Sequence, residues 1–311
     1  MEFLRVLEGI RTPALSAILG AVTYLGDQTV FMLFAIVFFW CVSKRRAYYI
    51  FAVGLTGMLL NQWLKLLCRV PRPWELDPTF TIVESARAAA EGYSFPSGHT
   101  QNVVGTLGCL VATDRRTWLR AVCAALMLLV PFSRMYLGVH TPLDVGAAAA
   151  AALALVFAYR PCFSGEERFR AALLPVLAGL LALSAAYLLY AVRAVPPTAA
   201  DEANFANGVR NAWTLLGCVL GLLAAYLADR RRPFREQAPL PGQICKVVLG
   251  VALLLGIRVG AKALLGAAPQ ANAARYFLMV AFAGGVWPRT FPYFARLGAK
   301  KDAEESAGTA R

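Results

Sequence analysis

Residues 173–192 read Leu-Leu-Pro-Val-Leu-Ala-Gly-Leu-Leu-Ala-Leu-Ser-Ala-Ala-Tyr-Leu-Leu-Tyr-Ala-Val and carry no charged side chain. One helical crossing of a bilayer requires about 20 apolar residues. Residues 30–42 and 121–132 have the same character once their flanks are included. Of the 311 residues, 59% are hydrophobic and 16% are charged, and the apolar residues form long runs. The composition predicts an all-α, polytopic integral-membrane helical bundle.

Charged breaks between the apolar runs predict where the helices lie and how they are oriented. The expected helices are 28–43, 47–66, 98–113, 118–134, 141–159, 171–193, 210–229, 244–265 and 274–288. Every second loop is rich in Lys and Arg, and such loops are cytoplasmic by the positive-inside rule. The rule accounts for much of the net charge of +13 without any nucleic acid partner. The opposite loops, 67–97, 135–140, 194–209 and 266–273, are then expected outside.

Cysteine and histidine usage argues against a metal or cofactor site. The seven cysteines are scattered, lie mostly inside apolar segments and form no CxxC pair. We therefore expect these cysteines to act as buried small hydrophobic residues. The chain has two histidines, and a zinc site built from several imidazoles is hard to assemble from them. We therefore expect no metal and no cofactor.

Three polar clusters interrupt the membrane pattern near the expected outer loops. Lys65 and Arg72 form the first, and Pro96-Ser97-Gly98-His99 forms the second. The third is Ser133-Arg134, followed by His140 and Asp144. Because the predicted helices 98–113 and 118–134 cross the membrane twice, the second and third clusters return to the same side.

The cationic members of these clusters predict a phosphate site. Lys65, Arg72 and Arg134 would repel one another in a low-dielectric setting unless a compact anion neutralises them. Arginine offers bidentate donors that match phosphate oxygens, and lysine adds a point charge. Ser97 and Gly98 open a helix, whose free amides and positive dipole end also favour an anion.

The two histidines predict nucleophilic and acid–base chemistry. His140 and Asp144 are four residues apart at an expected helix start, capped by Thr141, and therefore share one face. The carboxylate is expected to accept one imidazole N–H, which leaves the other nitrogen free to attack phosphorus. His99, on the opposite side of the anion, is expected to protonate the leaving oxygen and later to activate water.

Together, Lys65-x6-Arg72-Pro73, Pro96-Ser97-Gly98-His99 and Ser133-Arg134-x5-His140-x3-Asp144 resemble the three motifs of the type 2 phosphatidic acid phosphatase (PAP2) family. The resemblance implies a six-helix core and metal-independent phosphate removal through a phosphohistidine. It implies His140 as nucleophile, His99 as acid and Asp144 as orienting carboxylate. The implied phosphate contacts are Lys65, Arg72, Ser97, Gly98 and Arg134.

The family also implies the substrate class and the location. Its substrates include phosphatidate, phosphatidylglycerophosphate and undecaprenyl diphosphate, an isoprenyl diphosphate. We expect a lipid phosphatase of the bacterial cytoplasmic (inner) membrane, with its site on the extracytoplasmic face. Two alternatives remain: a phosphotransferase that uses the same histidine, and a lipid transporter or binding scaffold. Arg258 and Lys262 lie four residues apart in the outer half of a predicted crossing, which suggests either lipid headgroup contact or snorkelling.

The domain organisation predicted from the sequence has three parts. Residues 1–165 form a PAP2-like catalytic membrane domain, 166–295 supply additional transmembrane helices, and 296–311 form a polar cytoplasmic tail. Within the first part, 1–26 is either an interfacial helix or, through 12–26, a short crossing. Residues 74–95 form a long outer loop, interpreted as a substrate lid or a solvated connector, with a possible short helix at 80–90.

Overall fold

The computed structural model describes residues 1–297, and these contain helices and no strands. The helices are α1 (Glu2–Gly9), α2 (Pro13–Thr23), α3 (Gln28–Cys41), α4 (Lys44–Cys68), α5 (Pro73–Leu76), α6 (Gly98–Thr113), α7 (Thr117–Tyr136), α8 (Pro142–Tyr159), α9 (Glu166–Arg193), α10 (Glu202–Arg231), α11 (Leu240–Leu265), α12 (Pro269–Ala281) and α13 (Phe291–Phe294). Short 3-10 turns join several of them, and a π-helical turn, Phe282–Val286, continues α12.

Within the described residues, six helical segments are long and apolar enough to cross a membrane: Lys44–Leu76, Thr117–Tyr136, Pro142–Phe163, Glu166–Arg193, Ala199–Arg231 and Leu240–Leu265. A seventh candidate is a bent pair, Pro13–Gly26 and Gln28–Cys41, whose two parts meet at 51°. The lengths follow from the bilayer, which needs about 20 residues per crossing. The prediction of a polytopic helical membrane protein is confirmed.

Two of the expected crossings differ from this set. Helix α6 has the predicted bounds, but its 16 residues rise only about 24 Å, less than the roughly 30 Å of a hydrocarbon core. Its first residues, Gly98 to Asn102, are polar apart from the glycine, and most of the helix is buried by its neighbours. Helix α12 has 13 residues and ends in the π-helical turn. Helix α6 is therefore an internal helix. Its polar amino-terminal end, residues 97–102, is called the head of α6 below and can contribute side chains to a functional site.

The described chain divides into two compact units. The first comprises Met1–Phe34 and Tyr49–Ala212, and the second comprises Ala35–Tyr48 with the residues from Trp213 onward. The predicted boundaries at 165 and 295 stay predictions. Of the predicted tail, 296–311, the part after residue 297 lies outside the described residues.

Helix α6 is the centre of the first unit and packs against α7 and α8. Gly108 lets α8 come close, because a Cβ at this position would lie 3.0 Å from Val156 Cγ2. Small residues at helix crossings allow this kind of approach in membrane proteins. The apolar cluster that joins the three helices consists of Val103, Val104, Val130 and Ala152.

The amino-terminal segment belongs to the first unit. Leu4 and Leu7 of α1 are buried against Phe80, whereas Phe3 and Ile10 of the same segment are 47% and 53% exposed. Helix α2 has 11 residues, too few for a straight crossing of its own. Residues 12–26 therefore reach membrane-spanning length only together with α3, across the bend.

The long loop after α4 is attached to the amino-terminal segment. Arg5 pairs with Asp77 at 2.5 Å, and Arg11 donates from Nη1 to the Thr81 carbonyl at 2.7 Å. The short helix expected at 80–90 is reduced to a single 3-10 turn, Glu84–Ala86. Ala86 and Ala90 instead pack into an apolar cluster with Tyr136 and Leu137. The loop is thus folded against α1 and α7.

In the second unit a buried cation joins the start of α11 to the end of α3. Lys246 is fully buried and donates to the carbonyl oxygens of Trp40 and Glu236, each at 2.7 Å. Its ammonium also lies 4.3 Å from the centre of the Phe291 ring. Two carbonyls and an aromatic face satisfy this charge. Arg258 and Lys262, farther along α11, are exposed.

Candidate active site

His140 lies in the short connection between α7 and α8, with only 2% of its surface exposed. Arg72 Nη1 is 3.1 Å from His140 Nε2. A guanidinium can only donate, so Nε2 must be the accepting nitrogen, and a neutral ring then carries its proton on Nδ1. Burial, followed by the charges of Arg72, Arg134 and Lys65, lowers the pKa of His140 well below its usual value. The imidazole is therefore neutral at neutral pH, with Nε2 basic.

Asp144 faces the other ring nitrogen from the first turn of α8. Its Oδ2 is 3.5 Å from His140 Nδ1, within ion-pair range but too long for a good hydrogen bond, and Nδ1 has no other partner within residues 1–297. Thr141 N donates to the same oxygen at 2.7 Å, and Ser94 Oγ donates at 2.6 Å. These two donors fix the carboxylate in position. Catalytic hydrogen bonds often tighten only when substrate is bound.

Thr141 explains why α8 begins where it does. Its side chain accepts from Asp144 N, while Asp144 accepts from Thr141 N, so the two form a capping box. Pro142 occupies the first helical position, where its missing N–H costs nothing. The expected cap and first-turn residues are present, and they set the spacing of His140 and Asp144.

Three buried cations surround this pair. Arg134, near the end of α7, is fully buried and donates from Nη1 to Thr23 Oγ1 at 3.0 Å. Its Nε and Nη2 have no hydrogen-bond partner in the described part of the chain. Lys65, 7% exposed, donates to the Tyr93 carbonyl, and Arg72, 3% exposed, donates to the carbonyls of residues 91, 92 and 139. A buried guanidinium with two free N–H donors favours an anion.

The head of α6 forms the opposite side of the site. Ser97 is fully buried, and its Oγ caps the helix by accepting from Thr100 N at 3.4 Å. Its backbone N–H donates to the Asp144 carbonyl at 3.1 Å, which fastens α6 to the start of α8. A Cβ at Gly98 would meet only Asn61 Oδ1, at 3.9 Å, so one side of this glycine is open to an approaching anion.

A cavity of about 320 Å³ lies between these elements. Five of the predicted site residues line it: Lys65, Arg72, Gly98, His99 and His140. Ser97, Arg134 and Asp144 are buried and are not among the lining residues. Further lining side chains come from Asn61 and Gln62 on α4, from Asp27, and from Asn204, Asn207 and Asn211 on α10. The structure thus brings five of the eight predicted residues to one cavity, and the other three are buried outside its lining.

His99 is half-buried at the head of α6 and lines the cavity. Its position depends on Gly26, because a Cβ at Gly26 would lie 2.8 Å from the His99 carbonyl oxygen and 2.9 Å from His99 Cβ. Asn102 Nδ2 donates to the Gly26 carbonyl at 3.1 Å. The bend between α2 and α3 therefore sits directly against the residue expected to act as the acid.

Several residues at the site were not predicted from the sequence. Ser94 holds Asp144, Thr23 holds Arg134, and the carbonyl of Tyr93 accepts from Lys65. Ser94 lies two residues before Pro96, so its closeness to the second cluster was a usable signal. Thr23 lies 111 residues before Arg134 in an apolar stretch and carries no such signal.

Comparison with known protein families agrees with this geometry. Residues 45–168 match the PAP2 superfamily model, and residues 213–301 match the model described as PAP2 superfamily phosphatase, transmembrane extension. The chain contains a PAP2 superfamily domain with the PAP2 transmembrane extension. All eight predicted site residues lie within the first match, and the second explains why transmembrane helices continue after it. Residues 169–212, between the two, include the part of α10 that lines the cavity.

Two curated relatives each match about a third of the chain. The chain is 29% identical over 103 residues to undecaprenyl-diphosphatase BcrC of Bacillus subtilis (strain 168), which covers 33% of this chain and 50% of that protein. It is 43% identical over 91 residues to an undecaprenyl-diphosphatase of Sulfolobus acidocaldarius, covering 29% of this chain and 41% of that protein. The chain thus spans half or less of each relative's length. No solved structure matches it at a significant level.

Proposed function

We propose that this protein is a metal-independent lipid phosphatase that hydrolyses a phosphomonoester or diphosphate through a phosphohistidine at His140. The observation that carries the proposal is the pairing of a buried, neutral imidazole, whose Nε2 accepts from Arg72, with the Arg134 donors that have no partner among residues 1–297. The PAP2 superfamily domain and the similarity to two undecaprenyl-diphosphatases support it.

In the first step the substrate phosphate enters between the cations. Arg134 Nε and Nη2 gain acceptors, Lys65 adds charge, and Arg72 turns its donor from His140 Nε2 to a phosphate oxygen. The released Nε2 lone pair attacks phosphorus, and the bond to the leaving oxygen breaks. His99 delivers a proton to that oxygen. Asp144 stabilises the positive charge that develops on the His140 ring, whose Nδ1–H faces it.

In the second step, water attacks the phosphohistidine from the side that the leaving group has vacated. His99, now neutral, takes one proton from the water. The bond between phosphorus and Nε2 breaks, inorganic phosphate leaves, and His140 returns to its neutral form. The transferring phosphoryl group is stabilised by Lys65, Arg72, Arg134 and the amides at the head of α6, so no metal ion is required.

We further propose an isoprenyl diphosphate, such as undecaprenyl diphosphate, as the substrate, ahead of phosphatidate and phosphatidylglycerophosphate. The names of the two relatives support this order. The site lies at the helix ends opposite the loops rich in Lys and Arg, which supports an extracytoplasmic active site in the cytoplasmic membrane of a bacterium. An amphipathic substrate would reach the cavity from the outer leaflet.

Phosphate release from purified protein in detergent tests the proposal. The panel contains undecaprenyl diphosphate, phosphatidate, phosphatidylglycerophosphate and a soluble sugar phosphate, each assayed with and without EDTA. We expect release from the lipids, fastest from the diphosphate, unchanged by EDTA and absent in His140→Ala. Activity lost on chelation, or kept by His140→Ala, would overturn the mechanism.

A transporter or binding scaffold would behave differently in the same experiments. Binding a headgroup requires the cations but not His99, His140 and Asp144 together. If His140→Ala still moved a fluorescent lipid between leaflets of a vesicle, while no member of the panel released phosphate, the transport hypothesis would replace the enzymatic one.

A further inference from the structure

One buried polar group at the cavity has no part in the steps described so far. Asn61 lies on α4, one turn before Lys65, lines the cavity and is 3% exposed. Its Nδ2 donates to the Pro96 carbonyl at 3.2 Å. Because a carbonyl oxygen can only accept, this bond determines which end of the amide is the nitrogen and which is Oδ1.

Asn61 Oδ1 has no hydrogen-bond partner among the residues that the structure describes. It lies 3.9 Å from the position that a Cβ of Gly98 would take, so it faces the head of α6 at the residue before His99, and both Asn61 and His99 line the cavity. If Asn61 only helped to pack α4, its hydrogen bond to the Pro96 carbonyl would account for Nδ2 but not for an Oδ1 that has no partner among the described residues. Leaving a buried acceptor unpaired is unfavourable, and an acceptor beside a phosphate site is useful only to a ligand that carries a hydrogen.

The two steps of the proposed reaction place different groups next to Asn61 Oδ1. The position in line with His140 Nε2, across phosphorus, holds the leaving oxygen in the first step and the attacking oxygen in the second. The leaving oxygen of an ester or diphosphate brings no hydrogen. Attacking water brings two: His99 removes one, and the other requires an acceptor. An alcohol brings one hydrogen, and a carbon atom replaces the second.

We propose that Asn61 Oδ1 accepts the second hydrogen of the attacking water and thereby makes the phosphohistidine react with water in preference to alcohols. The inference rests on the proposed function. In the step, the water oxygen bonds to phosphorus, and the bond from phosphorus to His140 Nε2 breaks with its electron pair returning to nitrogen. One proton passes to His99, and the other stays on the product as a P–O–H group hydrogen-bonded to Asn61. Asn61 is thus a positioning residue that separates a hydrolase from a phosphotransferase.

Competition between water and an alcohol tests this role. Purified protein is given undecaprenyl diphosphate labelled in its terminal phosphate, with increasing methanol, and labelled methyl phosphate and inorganic phosphate are counted. The wild type is expected to form mainly inorganic phosphate. Asn61→Leu, which keeps the approximate volume without an acceptor, is expected to raise the ratio of methyl phosphate to phosphate about tenfold, the size of one hydrogen bond.

The kinetic parameters provide a second readout. We expect kcat in water to fall in Asn61→Leu while kcat/KM is retained, because kcat/KM reports the steps up to departure of the leaving group. Because hydrolysis of the phosphohistidine is slowed, labelled and acid-labile phosphohistidine should accumulate on the variant protein. Asn61→Gln tests rescue: its amide keeps an acceptor oxygen together with the donor to the Pro96 carbonyl, and should move the ratio back toward that of the wild type.

Gln62→Leu is the matched control. Gln62 is the next residue, lines the same cavity and already has a partner, because its Oε1 accepts from Asn211 Nδ2 at 3.1 Å. Its product ratio should equal that of the wild type. An unchanged ratio in Asn61→Leu, or an equal fall of kcat and kcat/KM, would overturn the positioning role while leaving the proposed function intact. Absence of His140-dependent release in the wild type would instead overturn both.

Discussion

Arg134 provides the strongest test of how the site binds its anion. The guanidinium is fully buried, is held by one bond to Thr23, and has two N–H donors without partners among residues 1–297. In the proposed reaction these two donors bind the transferring phosphoryl group. Arg134→Met removes them while keeping an unbranched side chain that fills most of the same space.

The size of the effect follows from the two lost bonds. Hydrogen bonds to charged groups contribute about 1.5–3 kcal/mol each. Losing two therefore removes roughly 3–6 kcal/mol of transition-state stabilisation, a fall in kcat/KM of about 10²–10⁴-fold. The thermal stability of the protein without bound anion should not fall together with kcat/KM. Burying a charge without an anionic partner destabilises the empty protein, so Arg134→Met should unfold at the same temperature as the wild type or above it.

Two measurements separate these effects. Phosphate release from undecaprenyl diphosphate gives kcat/KM, and thermal unfolding in detergent is followed with and without orthovanadate, a phosphate analogue. Orthovanadate should raise the unfolding temperature of the wild type and have little effect on Arg134→Met. Arg134→Lys, which restores charge without the bidentate fork, should fall between the two. A variant that unfolds at lower temperature without anion, yet responds to vanadate as the wild type does, would refute this account of Arg134.

Three further predictions concern the surroundings of the site. Burial and, after it, the charges of Arg72, Arg134 and Lys65 lower the pKa of His140. Lys65→Met should therefore raise that pKa and move the acid limb of the pH profile of kcat/KM to higher pH, and an unmoved limb would contradict the electrostatic coupling. Ser94→Ala removes a 2.6 Å donor to the Asp144 carboxylate and should lower kcat about tenfold with little change in unfolding temperature, whereas an equal loss in Ser94→Thr would indicate a packing role. Burial raises the pKa of Glu8, but hydrogen bonds from Thr81 and Arg5 outweigh it and lower that pKa to about 2. The ionised carboxylate therefore stabilises the packing of the loop on α1 above pH 4.5, and this stabilisation is lost as the pH falls toward 2. Pepsin should therefore cleave residues 77–92 faster as the pH falls through this window, and Glu8→Gln should remove that dependence on pH; equal dependence in the variant would exclude Glu8 as the titrating group.

Much of the helical framework could be predicted because its cause is local. A crossing needs an apolar run of fixed length and a charged break at each end, and both are visible in the sequence. The predicted bounds of α6 and the predicted capping of α8 by Thr141 agree with the structure. The predicted helix bounds agree less well where the length of the apolar run does not decide where a helix begins. Helix α10 begins at Glu202 rather than near 210, because its polar first turns face the cavity instead of lipid.

The amino-terminal segment and the outer loop show where local patterns stop being informative. Phe3 and Ile10 share the spacing of Leu4 and Leu7 but remain exposed, since burial depends on where Phe80 is brought by the chain. The helix expected at 80–90 does not form beyond one turn, because its alanines pack on Tyr136 and its neighbours instead of completing a helical face. In both cases a contact distant in sequence overrides the local preference.

The sequence by itself determined the class of the molecule and predicted the residues and chemistry of its site. Apolar runs require a membrane bundle, and the two histidines with their cationic neighbours point to phosphate before any contact is known. Only the tertiary structure decided how these groups are held: the tautomer of His140 set by Arg72, the carboxylate of Asp144 held by Ser94, and the free donors of Arg134 beside Thr23. It also revealed the unpaired oxygen of Asn61. The physical reason is that a residue's type follows from the chain alone, whereas its hydrogen-bond partners depend on which distant segments meet around it.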